Sequence, residues 1–371
     1  MAEIETEIDI PEYLRLLKDP ETRILDANNA VVTTLHITKF HIIIALDSGI
    51  LHILKHENGR DIGGEIVVKA CEMGIWCVDS WEGEENEEWI VVGGTGNEDN
   101  LKVCMWDGNG RLVRITVMSL QCRPLVEKLK LQGHKSTVRV VKAPSATTVI
   151  SASRDATIRI WNIQNGICEA VLEGHTKTIR CLDVHEKIAV SGSYDSEARV
   201  WDLKKRVCLH VMKGHESKIY AIATNGVKVF TGGMDKSVRV WDVITGECQA
   251  ILEGFTSLVG LLELLPSSLL TADASGVIRL FANQDCKEIW KVEAHQNAVI
   301  SMHCHGSKFA TGGSDGKVRV WDLDNGKLLQ ELITSNAVWY VKWIGNSLVT
   351  LFSNDIDNTM EVIMKIWTVP S

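Results

Sequence analysis

Three arginines, Arg139, Arg154 and Arg180, occupy positions that comparable segments of the chain fill with other residue types. Two segments read alike: GHKSTVR followed by SASRDATIRIWN, and GHTKTIR followed by SGSYDSEARVWD. Arg139 and Arg180 end the first motif, and Arg154 precedes the aspartate of the second. Other copies fill the first position with Tyr220, Gly260, Ile300 and Trp339, and the second with Tyr194, Met234, Ala274 and Ser314. The repeated unit therefore does not require arginine at either position.

The three guanidinium groups are predicted to converge on one face of the protein, because both positions open at the same end of neighbouring units. Cations held close together repel one another unless an anion is bound. The planar guanidinium suits a phosphate or a carboxylate. Four aromatic residues are expected on this face: Trp76, Tyr194, Tyr220 and Trp339. Together, the arginines and the aromatic residues favour binding of a phosphorylated peptide with an apolar residue or proline beside the phosphate. The alternative is that the three are ordinary solvated arginines.

A second group of reactive residue types, His, Ser or Thr, Asp and Trp, recurs in several copies at constant spacing. One such set is His175, Ser191, Asp195 and Trp201. A hydrolase needs a single constellation around an exposed nucleophile, whereas repeated sets indicate a buried hydrogen-bond network. The run His303–His305 lacks a second ligand pair at zinc spacing. We predict no enzyme activity, no metal and no cofactor.

Composition excludes several classes of protein. The chain has 371 residues, of which 45% are hydrophobic, and its net charge is −9; a general nucleic-acid or anionic-membrane binder would carry basic patches. No signal peptide or membrane-spanning stretch is found, so we expect the nucleus, the cytoplasm or both, with reduced thiols. Cys168, Cys208 and Cys248 hold equivalent places and are predicted to be small buried apolar groups.

The spacing of the repeats predicts the elements that position these residues. Trp161, Trp201 and Trp241 are 40 residues apart, and Trp321 lies two periods further on. Short apolar runs separated by Gly, Asn and Asp indicate strands and turns. Four strands per 40 to 45 residues, with GH and WD dipeptides, are typical of a WD-repeat propeller blade. We predict blade 6 to be atypical, with Phe255, Ser275 and Phe281 replacing polar network residues.

Counting inner strands predicts an all-β, eight-bladed propeller over residues 22–371, preceded by a short acidic segment, residues 1–21. The last blade runs out of chain after its third strand, and an open sheet edge there would be prone to association. We therefore expect the strand Thr22–Asp26 to complete that blade and latch the ring. A short helix is predicted at Ile10–Asp19. Blade 2 carries an acidic insertion, Glu82–Glu88, and a long turn, Thr95–Asn100.

The motifs GHKSTVR, SASRDATIRIW, GHTKTIR and SGSYD resemble the F-box/WD-repeat substrate receptors of SCF (cullin–RING) ubiquitin ligases. Among these, the chain is most similar to the cell-division-control readers of phosphodegrons. The resemblance covers about residues 31–367 and is most specific over 133–242. It implies that Arg139, Arg154 and Arg180 hold the phosphate of a phosphothreonine. It further implies that Trp76, with Thr95 nearby, contacts the proline side of the phosphopeptide.

By the same resemblance, Ser136 and Thr137 help to hold a second acidic or phosphorylated position. The implied partners are phosphorylated protein substrates and SCF ligase subunits, the latter through a separate docking chain, because no F-box is found before the propeller. No nucleic acid or membrane partner is expected. The alternative function is a general WD-repeat scaffold for protein interactions that does not depend on phosphate.

Overall fold

The computed structural model describes residues 21–25, 27, 30–57, 60–71, 73–82, 88–95, 101–106, 112–116, 131, 133–356 and 359–368. The predicted helix at Ile10–Asp19 lies outside the described residues, as do most of the acidic insertion of blade 2 and most of its long turn. Within the described part of the chain, no helix is long and apolar enough to cross a membrane.

The described chain is built from short β-strands joined by tight turns. The first sixteen strands are β1 (Glu21–Leu25), β2 (Val32–Ile37), β3 (His41–Leu46), β4 (Ile50–Glu57), β5 (Arg60–Lys69), β6 (Ile75–Glu82), β7 (Glu88–Gly94), β8 (Leu101–Trp106), β9 (Leu112–Thr116), β10 (Val138–Ser145), β11 (Thr148–Ser153), β12 (Ile158–Asn162), β13 (Ile167–Leu172), β14 (Ile179–His185), β15 (Ile188–Ser193) and β16 (Glu197–Asp202). The remaining strands are β17 (Val207–Lys213), β18 (Ile219–Thr224), β19 (Lys228–Gly233), β20 (Val238–Asp242), β21 (Cys248–Leu252), β22 (Val259–Leu264), β23 (Ser268–Asp273), β24 (Val277–Ala282), β25 (Glu288–Glu293), β26 (Val299–His305), β27 (Lys308–Gly313), β28 (Lys317–Asp322), β29 (Leu328–Thr334), β30 (Ala337–Ile344), β31 (Ser347–Ile356) and β32 (Thr359–Thr368).

These strands form antiparallel sheets of four, eight of them within the described residues. Seven sheets are continuous in the chain: β2–β5, β6–β9, β10–β13, β14–β17, β18–β21, β22–β25 and β26–β29, here called blades 1 to 7. The remaining sheet is composite, with the order β1-β32-β31-β30, and is called blade 8. In it, β1 pairs with β32 from Glu21 opposite Ile366 to Leu25 opposite Val362. The N-terminal strand thus covers the outer edge of the C-terminal strands, as predicted, and begins one residue earlier.

The hydrophobic core lies between neighbouring blades. One cluster joins Ile150 and Ile160 of blade 3 to Ile179 and Trp201 of blade 4, all at most 5% exposed. A similar cluster joins β1 and the other strands of blade 8 to blade 1. Each blade therefore buries its faces only against its two neighbours, which is how a repeat too small to make its own core becomes stable.

The recurring polar residues form the predicted network. In blade 4, Trp201 Nε1 donates to Ser191 Oγ at 2.8 Å, and that hydroxyl lies 2.8 Å from His175 Nε2. His175 Nδ1 lies 2.8 Å from Asp195 Oδ2. The same chain of contacts occurs in blades 3, 5 and 7, built on His134, His215 and His295. These residues tie the loop before each blade to its second and third strands.

Blade 6 is atypical, as predicted. Phe255 replaces the histidine and Phe281 the tryptophan, and their rings contact each other with centroids 6.1 Å apart. Because the histidine and the tryptophan are missing together, the remaining Thr271 hydroxyl donates to the Arg279 carbonyl oxygen at 3.2 Å instead.

Side chains halfway along the inner strands also join blades through backbone amides. Asp79 accepts a hydrogen bond from Ala143 N at 2.7 Å, and Asp183 accepts one from Thr224 N at 3.0 Å. Glu263 accepts one from Cys304 N at 2.7 Å. Such bonds fix the inner strands, and therefore the residues at their ends, relative to one another.

The three repeated cysteines depart from prediction. Cys168 and Cys208 are only partly buried, and Cys248 is exposed. They lie on the outer strands, which have a register shift opposite the WD tryptophan, and the Cys168 and Cys208 side chains contact the arginine of the third strand. Arg159 Nη1 lies 3.6 Å from Cys168 Sγ. The prediction of small buried groups was wrong because the sequence alone did not reveal this bulge.

Candidate functional site

Every inner strand begins with a one-residue register shift against its neighbour, and the shifted residue is the one that the repeat alignment singled out. We call these residues the bulge ring: Thr33, Trp76, Arg139, Arg180, Tyr220, Gly260, Ile300 and Trp339. A β-bulge leaves the extra residue unpaired and re-aims its side chain. The ring therefore presents one side chain from each blade at the same end of the inner strands.

A second set of residues follows the second strand of blades 1 to 7 and is attached to the bulge ring by the backbone. We call it the turn ring: Asp47, Thr95, Arg154, Tyr194, Met234, Ala274 and Ser314. In each, the amide donates to the carbonyl two residues before the bulge, at 2.8 to 3.0 Å. Arg154 N, for example, donates to Thr137 O at 2.9 Å. This bond holds Arg154 beside Arg139 on blade 3.

Among the three predicted arginines, Arg139 interacts electrostatically with Arg180 and Arg154. Burial lowers the pKa of Arg139, and the positive charges of Arg180 and Arg154 lower it further. Arg139 and Arg180 are half-buried and Arg154 is exposed. In the described structure none of the three forms an ion pair with a carboxylate, and the buried Nε of Arg139 has no hydrogen-bond partner there. The site is a cationic pocket whose counter-charge the described blades do not supply.

Trp76 forms one wall of this pocket. The Arg139 guanidinium lies 5.0 Å from the centroid of the Trp76 ring, a cation–π distance. Trp76 Nε1 donates to Thr95 Oγ1 at 2.7 Å, and Thr95 Oγ1 lies 3.5 Å from Thr137 Oγ1. Trp76 is nevertheless 37% exposed. Blades 2 and 3 therefore hold an indole ring in a fixed orientation, partly open to solvent, against the arginine cluster.

Tyr194 and Tyr220 form the opposite wall. Their ring centroids are 5.3 Å apart, one from the turn ring of blade 4 and one from the bulge ring of blade 5. Burial raises the pKa of Tyr220, a hydrogen bond with Tyr194 raises it further, and the charge of Arg180 opposes both. Tyr220 thus borders Arg180 and keeps a neutral hydroxyl that can donate to an anion.

The other three predicted site residues are placed differently. Thr137 is only 6% exposed, so it supports the Trp76 side rather than offering an open surface. Ser136 is partly exposed, and its carbonyl accepts a hydrogen bond from Ser153 Oγ at 3.0 Å. Trp339 belongs to the bulge ring on blade 8, and its indole Nε1 has no partner among the described residues. No described side-chain contact joins Trp339 to the arginines.

Three residues of this face were not predicted as site residues. Met234 of the turn ring is 49% exposed and Ile300 of the bulge ring is 40% exposed. Lys218 places its Nζ 5.0 Å from the centroid of the Tyr194 ring. The repeat alignment contained Met234 and Ile300 as residues at the arginine positions, but nothing in the sequence showed that Lys218 would reach across to blade 4.

The donor set suits recognition of an anion. Guanidinium groups and neutral tyrosine hydroxyls donate hydrogen bonds, and the flanking rings provide apolar surface. The described residues include no cluster of three or more His, Cys, Asp or Glu side chains that could hold a metal ion.

Comparison with known proteins identifies the repeat. The family model described as "WD domain, G-beta repeat" matches residues 125–162, 166–202, 206–242 and 286–322. The chain is similar to Cell division control protein 4 of Saccharomyces cerevisiae, 41% identical over 58 residues, which are 16% of this chain and 7% of that protein. It is 41% identical over 59 residues to WD repeat-containing protein pop2 of Schizosaccharomyces pombe, covering 16% of this chain and 8% of that protein.

A longer but weaker match is Mitochondrial division protein 1 of Aspergillus clavatus, 26% identical over 204 residues, covering 55% of this chain and 24% of that protein. The matches thus span less than a quarter of the length of each of these relatives. Among solved structures, the computationally designed Ika8 protein superposes with a TM-score of 0.74 at 22% identity, covering 93% of this chain and 98% of that one. This likeness shows the fold alone.

The matched segments, the His–Asp–Trp networks and the four-stranded sheets together show that the chain contains WD repeats and folds as a β-propeller. Propellers of this kind are typically not enzymes. The predicted absence of enzyme activity stays a prediction.

Proposed function

We propose that the protein binds phosphorylated peptides and acts as a substrate-recognition module linked to SCF-type ubiquitin-dependent degradation. The observation that carries the proposal is the cluster of Arg139, Arg154 and Arg180. Two of these cations lower the pKa of the third, and no described carboxylate pairs with them. A phosphate dianion relieves that repulsion and can accept several of their hydrogen bonds at once.

The walls of the pocket support a peptide rather than a free anion. Trp76 is held in place by Arg139 and Thr95 and offers part of its ring to solvent, which suits a proline beside the phosphorylated residue. The resemblance of this region to phosphodegron readers and the short match to a cell division control protein favour the same function. Phosphorylated clients and SCF subunits are therefore the partners that we propose.

Direct binding measurements test the phosphate dependence. Arg180→Ala and Arg154→Ala are each expected to weaken a phosphothreonine-proline peptide by about 2 kcal/mol or more, roughly thirtyfold, because each removes a charge-assisted hydrogen-bond donor. Fluorescence anisotropy with a labelled peptide measures this loss. Arg206→Ala is the matched control: Arg206 lies in a turn at the other end of blade 4, 2.6 Å from Glu169, and its loss should leave affinity unchanged. Equal affinity for phosphorylated and unphosphorylated peptide refutes the proposal.

A general interaction scaffold without phosphate dependence is the second candidate. It is favoured by the outer strand of blade 4, where Val207, Leu209 and Val211 all face outward and are 38% to 46% exposed. An apolar sheet edge of this kind is suited to contacts with other proteins. A pull-down with and without phosphatase treatment separates the two functions. Partners that persist after phosphatase, and with all three arginines changed to alanine, favour the scaffold.

A further inference from the structure

The turns at the end of the propeller opposite the arginine cluster can be compared blade by blade. In blades 3 to 7, the turn between the first two strands is tied to the turn after the third strand by one backbone hydrogen bond, 2.8 to 3.0 Å long. The residue that accepts this bond and the residue after the donor therefore hold equivalent, adjacent places. They are Thr147 and Gln164 in blade 3, Lys187 and Lys204 in blade 4, Val227 and Ile244 in blade 5, Ser267 and Gln284 in blade 6, and Ser307 and Asp324 in blade 7.

Blades 4 and 5 differ from the other three blades at these two places. Blade 5 has two aliphatic side chains, and Val227 is 61% and Ile244 80% exposed. These are the two highest exposures among the large hydrophobic side chains of the described residues. Blade 4 has two exposed lysines, Lys187 and Lys204. Because the connecting bond uses only backbone atoms and also forms with serine and threonine, the turns do not require lysine or aliphatic residues.

The lysine pair and the aliphatic pair lie on neighbouring turns. A Cβ added to Gly226 would come within 2.4 Å of the His185 ring, and one added to Gly246 within 2.7 Å of the His210 ring. Both turns of blade 5 therefore lie directly against blade 4, and His185 belongs to the turn that carries Lys187. We call the four residues the basal patch: Lys187, Lys204, Val227 and Ile244.

The lysines of the basal patch are not neutralised by the described residues. Arg206, in the same turn as Lys204, places Nη2 2.6 Å from Glu169 Oε2. No described carboxylate pairs with Lys204 or Lys187, although Glu186 precedes Lys187 in the sequence. Exposed apolar side chains grouped in this way mark interaction sites. Two cations beside them complement an acidic partner.

The aliphatic side chains of the basal patch stand on backbone that is already fixed. Val227 N donates to Asn225 Oδ1 at 3.0 Å, and Ile244 N donates to Asp242 Oδ1 at 2.8 Å. The next residue in the first turn, Lys228, donates from Nζ to a carbonyl of blade 6 at 2.6 Å. A surface held in this way loses little conformational freedom when a partner covers it.

We propose that the basal patch binds a partner protein through a short segment in which acidic residues adjoin aliphatic ones. The aliphatic side chains of the segment pack on Val227 and Ile244, and its carboxylates pair with Lys187 and Lys204. The patch and the bulge ring are at opposite ends of the inner strands, so both faces can be occupied at once. This inference does not depend on whether the arginine cluster binds phosphate.

Methyl NMR with a defined peptide tests the basal patch. The probe has three glutamates followed by two leucines, and two matched peptides replace the leucines by serine or the glutamates by glutamine. In protein with isotope-labelled isoleucine and valine methyl groups, the probe should shift the signals of Ile244 and Val227 but not that of Ile300 in the bulge ring. The variant with all three clustered arginines changed to alanine should give the same shifts, which separates the basal patch from the arginine cluster.

Variants of the basal patch give the size of the effect. Ile244→Ser is expected to weaken the probe about tenfold, because it removes an apolar contact surface. Lys187→Glu combined with Lys204→Glu should weaken it by about tenfold or more at low salt, and by less as salt is added. Two matched controls should keep wild-type affinity: Ile289→Ser, at a side chain 52% exposed on the outer strand of blade 6, and Lys327→Glu, in a turn of blade 7 at the same end.

Several results would overturn the proposal. They are the absence of any shift of Ile244 and Val227 at about 1 mM probe, equal binding of the serine peptide, and unchanged affinity of the double lysine variant. Binding of phosphatidylserine vesicles in place of the probe, or self-association of the chain that Ile244→Ser abolishes, would assign the patch to a membrane or to a second copy instead. None of these results bears on the phosphate dependence of the arginine cluster, which is measured with a different peptide.

Discussion

Blades 4 and 6 have the same four-strand plan but differ at two kinds of position. Blade 4 has the buried His175–Asp195 pair, with Arg180 in the bulge ring; blade 6 has Phe255 in place of the histidine and Gly260 in the bulge ring. In blade 4, Asp195 accepts the amides of Thr176 and Glu197. In blade 6 the buried carboxylate is two residues earlier, where Asp273 accepts the amides of Ser275 and Val277.

The difference separates the residues that stabilise a blade from the residues that the protein presents to a partner. The turn after the second strand needs a buried acceptor, and either arrangement provides one. The bulge position has no such requirement, because the bulge residue is not paired with the neighbouring strand. Network residues can therefore change only in sets, whereas bulge residues are free to vary with the ligand.

The largest expected effect comes from breaking one member of the blade 4 network. Asp195→Ala leaves His175 and two amides without their acceptor and should lower the free energy of unfolding by about 3 kcal/mol. The double change His175→Phe with Asp195→Ser copies two of the blade 6 residues and should cost less, because both partners are removed together. Urea denaturation of the three proteins measures this. A double variant less stable than Asp195→Ala would show that blade 6 depends on more than these replacements.

Acid should weaken the network blades through their buried histidines and aspartates. Burial acts to raise the pKa of Asp195, but hydrogen bonds and the charge of His175 outweigh it and lower the pKa to about 2. Because the folded pKa lies below the unfolded value of 3.8, this stabilisation is complete above about pH 4 and is lost as the pH falls through 2. It amounts to about 2 kcal/mol.

The histidines shift stability in the same direction. Burial lowers the pKa of His215 and of His295, so the unfolded chain takes up protons first as the pH falls below 6.5. Unfolding free energies at pH 7, 5 and 3 should therefore decline steadily. Asp195→Asn should show a shallower decline between pH 5 and 3, and Ser275→Ala in blade 6 should follow the wild type. Parallel pH profiles for Asp195→Asn and the wild type would contradict the assignment.

The smallest effect is expected at the bulge of blade 6. A Cβ added to Gly260 meets no heavy atom within 4 Å, so Gly260→Arg should change the unfolding free energy by no more than about 0.5 kcal/mol. Its affinity for phosphopeptide should stay within about twofold of wild type, since blade 5 separates it from the arginine cluster. Gly232→Ala is the contrasting control, because its Cβ would lie 2.9 Å from Val259 O and should destabilise by about 1 kcal/mol or more. Equal destabilisation by both changes would mean that the bulge position is constrained by the fold.

Much of this architecture could be predicted from the sequence alone, because each repeat carries the same structural residues at a constant spacing. The 40-residue spacing of Trp161, Trp201 and Trp241 indicated the blades, and the His–Ser–Asp–Trp order predicted the network correctly. The incomplete strand set of the last blade predicted that β1 would complete its sheet, and β1 does pair with β32. The incomplete burial of Cys168, Cys208 and Cys248 was not predictable, because it depends on a register shift in the outer strand that has no residue signature.

The sequence by itself determined which residues differ among otherwise equivalent units, and so which were available for binding: Arg139, Arg154 and Arg180 stood out by comparison between repeats. Only the tertiary structure decided where those side chains point and what lies beside them. The bulge at the start of every inner strand turns Arg139 onto Trp76, and the turn bond from Arg154 N to Thr137 O brings the next cation alongside. Lys218 reaches Tyr194 for the same reason: the neighbours of a blade residue come from the adjacent blade, about 40 positions away in sequence, and ring closure alone sets their distances.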